Sequence, residues 1–502
     1  MKRQKGEEYE GFSAPGIRLL EEASPKMVAV HSSENELPLL YAFHMFDKAH
    51  LVMMAEQGMI PRQAAVSMLA ALREMEEEGV EKVRLAAGNG KHSGEQYLIR
   101  QLGEEVGGRI HLARSSGDLG QVGLRIRLRD EELRLMDGLN EFRGALLETA
   151  GQHRDTVMPG YTHGQHAQPT TLGHCLVAYA SALERDFERL EALFHRTNRS
   201  AAGAAVLTGS DFPVNRLRVA ELLGFEKTIR NTNDAVLTQD ASLEALSVLT
   251  ILHNNVAECA ADLQVWYSDE FGMIAIPDRF CGTSSILAQK KNPWLFESIK
   301  GAAAQTFGNL MTTYYAYKGP RGLAIAERRY VLTPLWVVLD DAARDLSSMA
   351  EVMRGLKVNK ELMRERAGAF WAQASGLAGA LVAEKGLPWR TAHQIVGILV
   401  RLSSERGIKP SDVSTAFLDE AALEYMGKPV GLSEDALRKA LDPVEFIKAR
   451  TLYGGTNPEE VRQQIAELAE RLERDTCAVA DLRAALKQAS EKLESSIDAM
   501  LS

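Results

Sequence analysis

The stretch GTSSILAQKKNP, residues 282–293, places two serines and two lysines ahead of an Asn-Pro pair. Asn as a cap and Pro at the first helical position read as a helix start. An ammonium beside the positive end of a helix is locally unfavourable unless an anion is bound there too. Two other polar clusters also precede predicted helices: ARSSGD (113–118) and MPGYTHGQHAQPTT (158–171). Three such clusters, rich in Ser, Thr, His and Arg, point to one shared anionic ligand. A Ser-His-Asp hydrolase is disfavoured, because no strand precedes Ser284 and the G-x-S-x-G elbow is absent. His163, His166 and His174 lack an accompanying carboxylate or thiolate pattern, so no metal is expected there. On residue chemistry alone His163 is either an ordinary hydrogen-bonding loop residue or a general acid/base.

The elements that must hold these clusters read as long helices. Leu176, Ala180, Leu183, Phe187, Leu190 and Phe194 form one helical stripe, and Leu243 to Trp266 form another. Further helices are predicted to begin at Asn292-Pro293, at Thr333-Pro334 and at Asn457-Pro458. Stripes this long suit an all-α bundle with at most a minor sheet. Breaks at GNGKHSGE (88–95), Gly107-Gly108 and GIKPSD (407–412) flank the bundle. The expected division is 1–112, 113–365 and 366–502. The tail after about 475 reads as an amphipathic extension, solvated or in an oligomer contact.

Composition narrows the classes. The 502 residues include 45% hydrophobic ones, ample for a large core, and the net charge of −10 without a basic tract argues against nucleic acid. No apolar run of membrane length occurs, and the charged N-terminus does not resemble a signal peptide. Four separated cysteines, with no CxxC, fit a reducing, cytoplasmic setting without structural zinc.

The 282–293 stretch resembles the signature of the fumarase/aspartase superfamily, G-S-S-x-M-P-x-K-x-N-P, and its Q-K-K-N-P ending resembles the argininosuccinate lyase branch. VMPGYTHGQHAQP, GFEKTIRNTNDAV, DEFG (269–272), AHQIVGILV, YGGTNPEEVRQQI and AHLVMMAEQGMI (49–60) are similar to segments of that branch. The resemblance runs from about residue 43 to 467. It implies a three-domain all-α fold whose central bundles form a twenty-helix core in a homotetramer. Each active site would then draw its three clusters from three subunits. It also implies β-elimination across a succinyl unit, releasing fumarate and an amine; no cofactor is expected. By motif matching, Ser284 is the general base as an alkoxide, and Lys290 and Asn292 stabilise the aci-carboxylate. His163 pairs with Glu297 near the leaving group, with Thr162 alongside. Protonation of the leaving nitrogen by His163, Thr162 or water stays open. Arg114, Ser115, Ser116, Gln165, Ser285 and Arg329 are the expected substrate contacts.

The departures fall on specificity. The loop has Leu287-Ala288 for Met-Pro and Thr283 for Gly. Where the branch reads G-R-S-R-N-D-Q, Ser116 and Gly117 replace the second Arg and the Asn that grip carboxylates. Where it reads T-Y-N-x-D-x-Q-E-D-K, this chain has LAIAERRYVL (323–332). The reading is therefore a C–N lyase acting on an N-substituted aspartate other than argininosuccinate. The alternatives are a genuine argininosuccinate lyase and a non-catalytic protein like the crystallins of this fold.

Overall fold

The computed structural model describes residues 20–22, 24, 33–88, 90–322, 327 and 329–502, without the side chains of 33–35 and 329. The chain is all-α, and its only strands among the described residues form four two-stranded sheets. The helices that matter for the site are α1 (Leu40–Glu56), α2 (Arg62–Glu78), α3 (Ser93–Leu102) and α4 (Ser116–Gln152). A hairpin of β1 (Val157–Thr162) and β2 (Gln165–Thr171) follows. Then come α5 (Leu172–Thr197), α6 (Asp240–Tyr267), strands β3 (Gly282–Thr283) and β4 (Lys291–Asn292), α7 (Trp294–Ala316) and α8 (Arg329–Arg354).

The bundle runs α4 up, α5 back, α6 up, α7 back, α8 up. Side-chain bonds between helices fix that order. Gln121 Nε2 near the start of α4 donates to Thr238 O just before α6 (2.9 Å). The Tyr179 hydroxyl near the start of α5 donates to Asp262 near the end of α6. Thr149 Oγ1 at the end of α4 donates to Met353 O at the end of α8 (3.1 Å). At the lower end, Arg321 after α7 pairs with Asp234 before α6 (3.4 Å).

Helix ends follow local chemistry. Ser115 and Asp118 make a reciprocal capping box at α4: Ser115 Oγ accepts from the Gly117 N–H, and Asp118 Oδ1 accepts from the Ser115 N–H. Thr171 caps α5 through the His174 N–H (3.1 Å). Two expected starts are corrected. Asn292 does not cap α7; its backbone pairs with Gly282 in the β3–β4 ribbon, and Pro293 takes the cap position. Helix α8 begins at Arg329, so Pro334 lies inside it rather than at its first turn.

The N-terminal helices and the bundle share one continuous apolar core. A second core, with Leu377, Leu381, Ile395, Leu399, Leu418 and Leu437, is built by helices between residues 374 and 441. The last helix, α9, spans Pro458–Leu501. Its tail is not a solvated extension. Asp475 pairs with the buried Arg143 of α4 (2.6 Å), Glu494 pairs with Lys48 of α1 (2.5 Å), and Leu493 and Ile497 are fully buried. The tail therefore staples the bundle to the N-terminal helices. Among the described residues no helix is long and apolar enough to cross a membrane.

Candidate active site

Ser284 sits in the β3–β4 loop. Its Oγ accepts two main-chain N–H groups, from Ile286 (3.3 Å) and Leu287 (3.0 Å). Donors aimed at a hydroxyl oxygen stabilise its anionic form more than its neutral one. Ser285 and Lys290 are exposed beside it, and Asn292 is half-buried. The two lysines differ. Lys291 Nζ is tied to both oxygens of Asp278 (2.9 and 3.0 Å). The Lys290 ammonium has no partner among the described residues, so it is the one available to a ligand. Gly282 is required here: a Cβ would lie 2.3 Å from the Trp294 ring, which packs on this strand.

The second cluster, read as a loop, is a β-hairpin. His163 (φ 57°) and Gly164 (φ 70°) take the positive-φ positions of a two-residue turn between the paired Thr162 and Gln165. Thr162, His163 and Gln165 are exposed at the tip. Tyr161 anchors the hairpin by ring contacts with His166 (5.0 Å) and Phe271 (5.8 Å). Glu297 accepts from Gln264 Nε2 (3.3 Å) within its own chain, and the expected His163–Glu297 pair is not made inside one chain.

The first cluster lies elsewhere. Helix α4 has 37 residues, about 55 Å at 1.5 Å each, with Ser115 at its start and the hairpin just past its end. Arg114 is buried, and its Nη1 donates to Asp47 Oδ1 (2.6 Å). The fully buried Arg84 binds the other oxygen of Asp47. Burial pushes the Asp47 carboxyl up, but the two guanidiniums outweigh this and hold it below the usual range. Both buried guanidiniums are thus committed to one buried carboxylate. Ser115 Oγ is occupied by the helix cap, while Ser116 Oγ bonds His92 Nε2 (2.7 Å). Arg321 is exposed and paired with Asp234; the side chain of Arg329, like Ala324 and Arg328, lies outside the described residues. The two altered specificity segments thus approach the same end of the bundle, opposite Ser284 and His163.

Gly117 has a packing reason. A Cβ there would stand 2.6 Å from Val236 Cγ1. Gly117→Asn is expected to lower unfolding free energy by about 1–3 kcal/mol through overpacking. Denaturant titration checks this, and adding Val236→Ala should recover part of the loss.

Sequence reasoning missed Asp47, His92 and the two amides on Ser284. Asp47 is 67 residues from Arg114, with no local signal linking them. The amide pair follows from a tight loop whose closure depends on strand pairing.

Comparisons with known proteins bear on these residues. A family model described as lyase matches residues 21–308, and one described as argininosuccinate lyase C-terminal matches 371–448. The argininosuccinate lyase of Methanothermobacter thermautotrophicus is 36% identical over 443 residues, 87% of this chain and 94% of the relative. That of Methanosarcina barkeri is 37% identical over 456 residues, 90% and 91% of the two chains. Among solved structures, EDDS lyase in complex with formate superposes with a TM-score of 0.86 at 29% identity, over 96% of both chains. An EDDS lyase variant with bound fumarate gives 0.85 at 29% identity, over 96% of this chain and 97% of that one.

Proposed function

Since the chain belongs to the argininosuccinate lyase family of the fumarase/aspartase superfamily and is a carbon–nitrogen lyase, we propose that it cleaves an N-substituted aspartate other than argininosuccinate into fumarate and an amine. The observation that carries the chemistry is the pair of amides on Ser284 Oγ, in the same loop as Lys290, which has no partner among the described residues. The Ser284 alkoxide takes the proton from the carbon next to a carboxylate. The electron pair moves into that carboxylate, giving a doubly charged aci-carboxylate held by Lys290 and Asn292. Its collapse forms the carbon–carbon double bond and breaks the C–N bond. The nitrogen leaves with a proton from the hairpin side, where Thr162 and His163 stand.

One chain cannot assemble this site, because the carboxylate-gripping cluster and Ser284 lie at opposite ends of α4. We therefore propose a homotetramer with sites shared between three subunits. Helix α7 supports this: of its 23 residues only Phe296, Ile299, Thr306 and Thr313 are buried. Phe307, Tyr314 and Tyr315 are each more than half exposed, an apolar face that a helix of a bundle interior would cover. His163 of one chain then reaches Glu297 of another.

The test is fumarate absorbance during incubation with a panel of N-substituted aspartates. Fumarate release from none of them, argininosuccinate included, overturns the lyase assignment and favours a crystallin-like role. The identity to curated argininosuccinate lyases supports the second reading, arginine biosynthesis itself.

A further inference from the structure

Beside the first cluster, His92, Glu95 and His111 converge. His92 occupies the residue before α3 without capping it through its side chain, Glu95 lies one turn on, and His111 ends the short helical turn Gly108–His111. His92 Nδ1 stands 3.4 Å from Glu95 Oε2, and His111 Nδ1 stands 3.3 Å from the same oxygen. One ligand atom from each of the three residues falls within 4.8 Å of the others. Two donor atoms each about 2.05 Å from a tetrahedral ion lie about 3.3 Å apart, so the two spacings to Glu95 Oε2 match those of a first coordination sphere. The donor set, two imidazole nitrogens and one carboxylate oxygen, suits zinc and its neighbours and leaves one position open.

We propose that His92, Glu95 and His111 bind a zinc-class divalent cation whose open position takes a carboxylate of the substrate. The second half of this rests on the lyase reading above. With His92 Nδ1 on the ion, Nε2–H donates to Ser116 Oγ at 2.7 Å, the kind of outer partner that fixes a ligating imidazole. His111 is about a third exposed, which leaves a route for the ion and a ligand on its side. The site also lies where charge is wanted. Ser116 and Gly117 supply no cation to grip a carboxylate, and an ion whose ligand His92 bonds Ser116 Oγ restores one. The expectation that the chain uses no metal came from His163, His166 and His174; the convergent set is a different one, visible in sequence only as His-x-x-Glu and a distant His.

The experiment uses the full-length protein, stripped with EDTA and titrated calorimetrically with zinc alone. A single equivalent per chain is expected. Glu95→Gln and His111→Asn should each weaken it by more than about a hundredfold, and Ser116→Ala by about tenfold. Absence of saturable binding, or affinity unchanged in both ligand variants, overturns the site. If a variant misfolds by circular dichroism, the cobalt form of the wild-type protein decides: intense visible bands of a low-coordinate ion support the site, and a weak octahedral spectrum overturns it. Adding fumarate to the cobalt form should shift those bands. An unshifted spectrum overturns the carboxylate assignment, whereas fumarate production, assayed separately, decides the lyase reading.

Discussion

A Ser284→Ala enzyme should fold and assemble like the wild type and lose turnover by several orders of magnitude. The side chain is small and sits in an exposed loop, and its oxygen only accepts two amide hydrogens that water can replace. Packing loss is therefore slight, and a surface change of this kind stays within about 0.5 kcal/mol. The alkoxide acts only when the proton moves, so kcat should fall more than KM changes. General base catalysis alone contributes roughly 10²–10⁴. Steady-state rates by fumarate absorbance, with melting and sedimentation as controls, decide the matter. Retention of more than about a tenth of the activity removes Ser284 from the role of base.

The second large effect concerns the substrate. Argininosuccinate should be turned over at least about a hundredfold less efficiently than an N-substituted aspartate whose amine carries a carboxylate. By the motif match, the Tyr, Gln and Lys positions around a guanidinium fall on Ala324, Arg329 and Leu332, with Arg328 beside them and Arg321 just upstream. An arginine set against a guanidinium is a like-charge contact costing several kcal/mol, whereas a carboxylate gains charge-assisted, bidentate bonds. Arg321 is already partnered by Asp234, and Arg329, which falls on the Gln position, is the residue to test. Arg329→Gln should narrow the preference by lowering kcat/KM for the carboxylated substrate. A kcat/KM for argininosuccinate near roughly 10⁴ M⁻¹s⁻¹ or above, within the ordinary range of enzymes, overturns this reading and restores the biosynthetic one.

The family and the helices were legible because both are local. Leu176 to Phe194 and Leu243 to Trp266 show their stripe in any window of a few turns, and the structure forms helices over Leu172–Thr197 and Asp240–Tyr267 around them. Asn457-Pro458 caps and starts its helix as read, because a cap needs only the residues beside it. The same rule misplaced the start at Asn292. There the backbone of Asn292 pairs with Gly282, ten residues back, and a strand bond outcompetes a side-chain cap.

The amino-acid sequence by itself determined the chemical parts: a serine in a tight loop, two lysines, a histidine turn and an arginine cluster. Only the tertiary structure decided how they stand to one another. It paired Lys291 with Asp278 and left Lys290 for a ligand. It spent Arg114 and Arg84 on Asp47, and it closed His92, Glu95 and His111 on a common centre. It also put Ser115 and the His163 turn at opposite ends of a 37-residue helix. The physical reason is range. Periodicity, caps and turns act over three or four residues, whereas an ion pair or a ligand cluster depends on helices packed from segments far apart in the chain, whose register no short window contains.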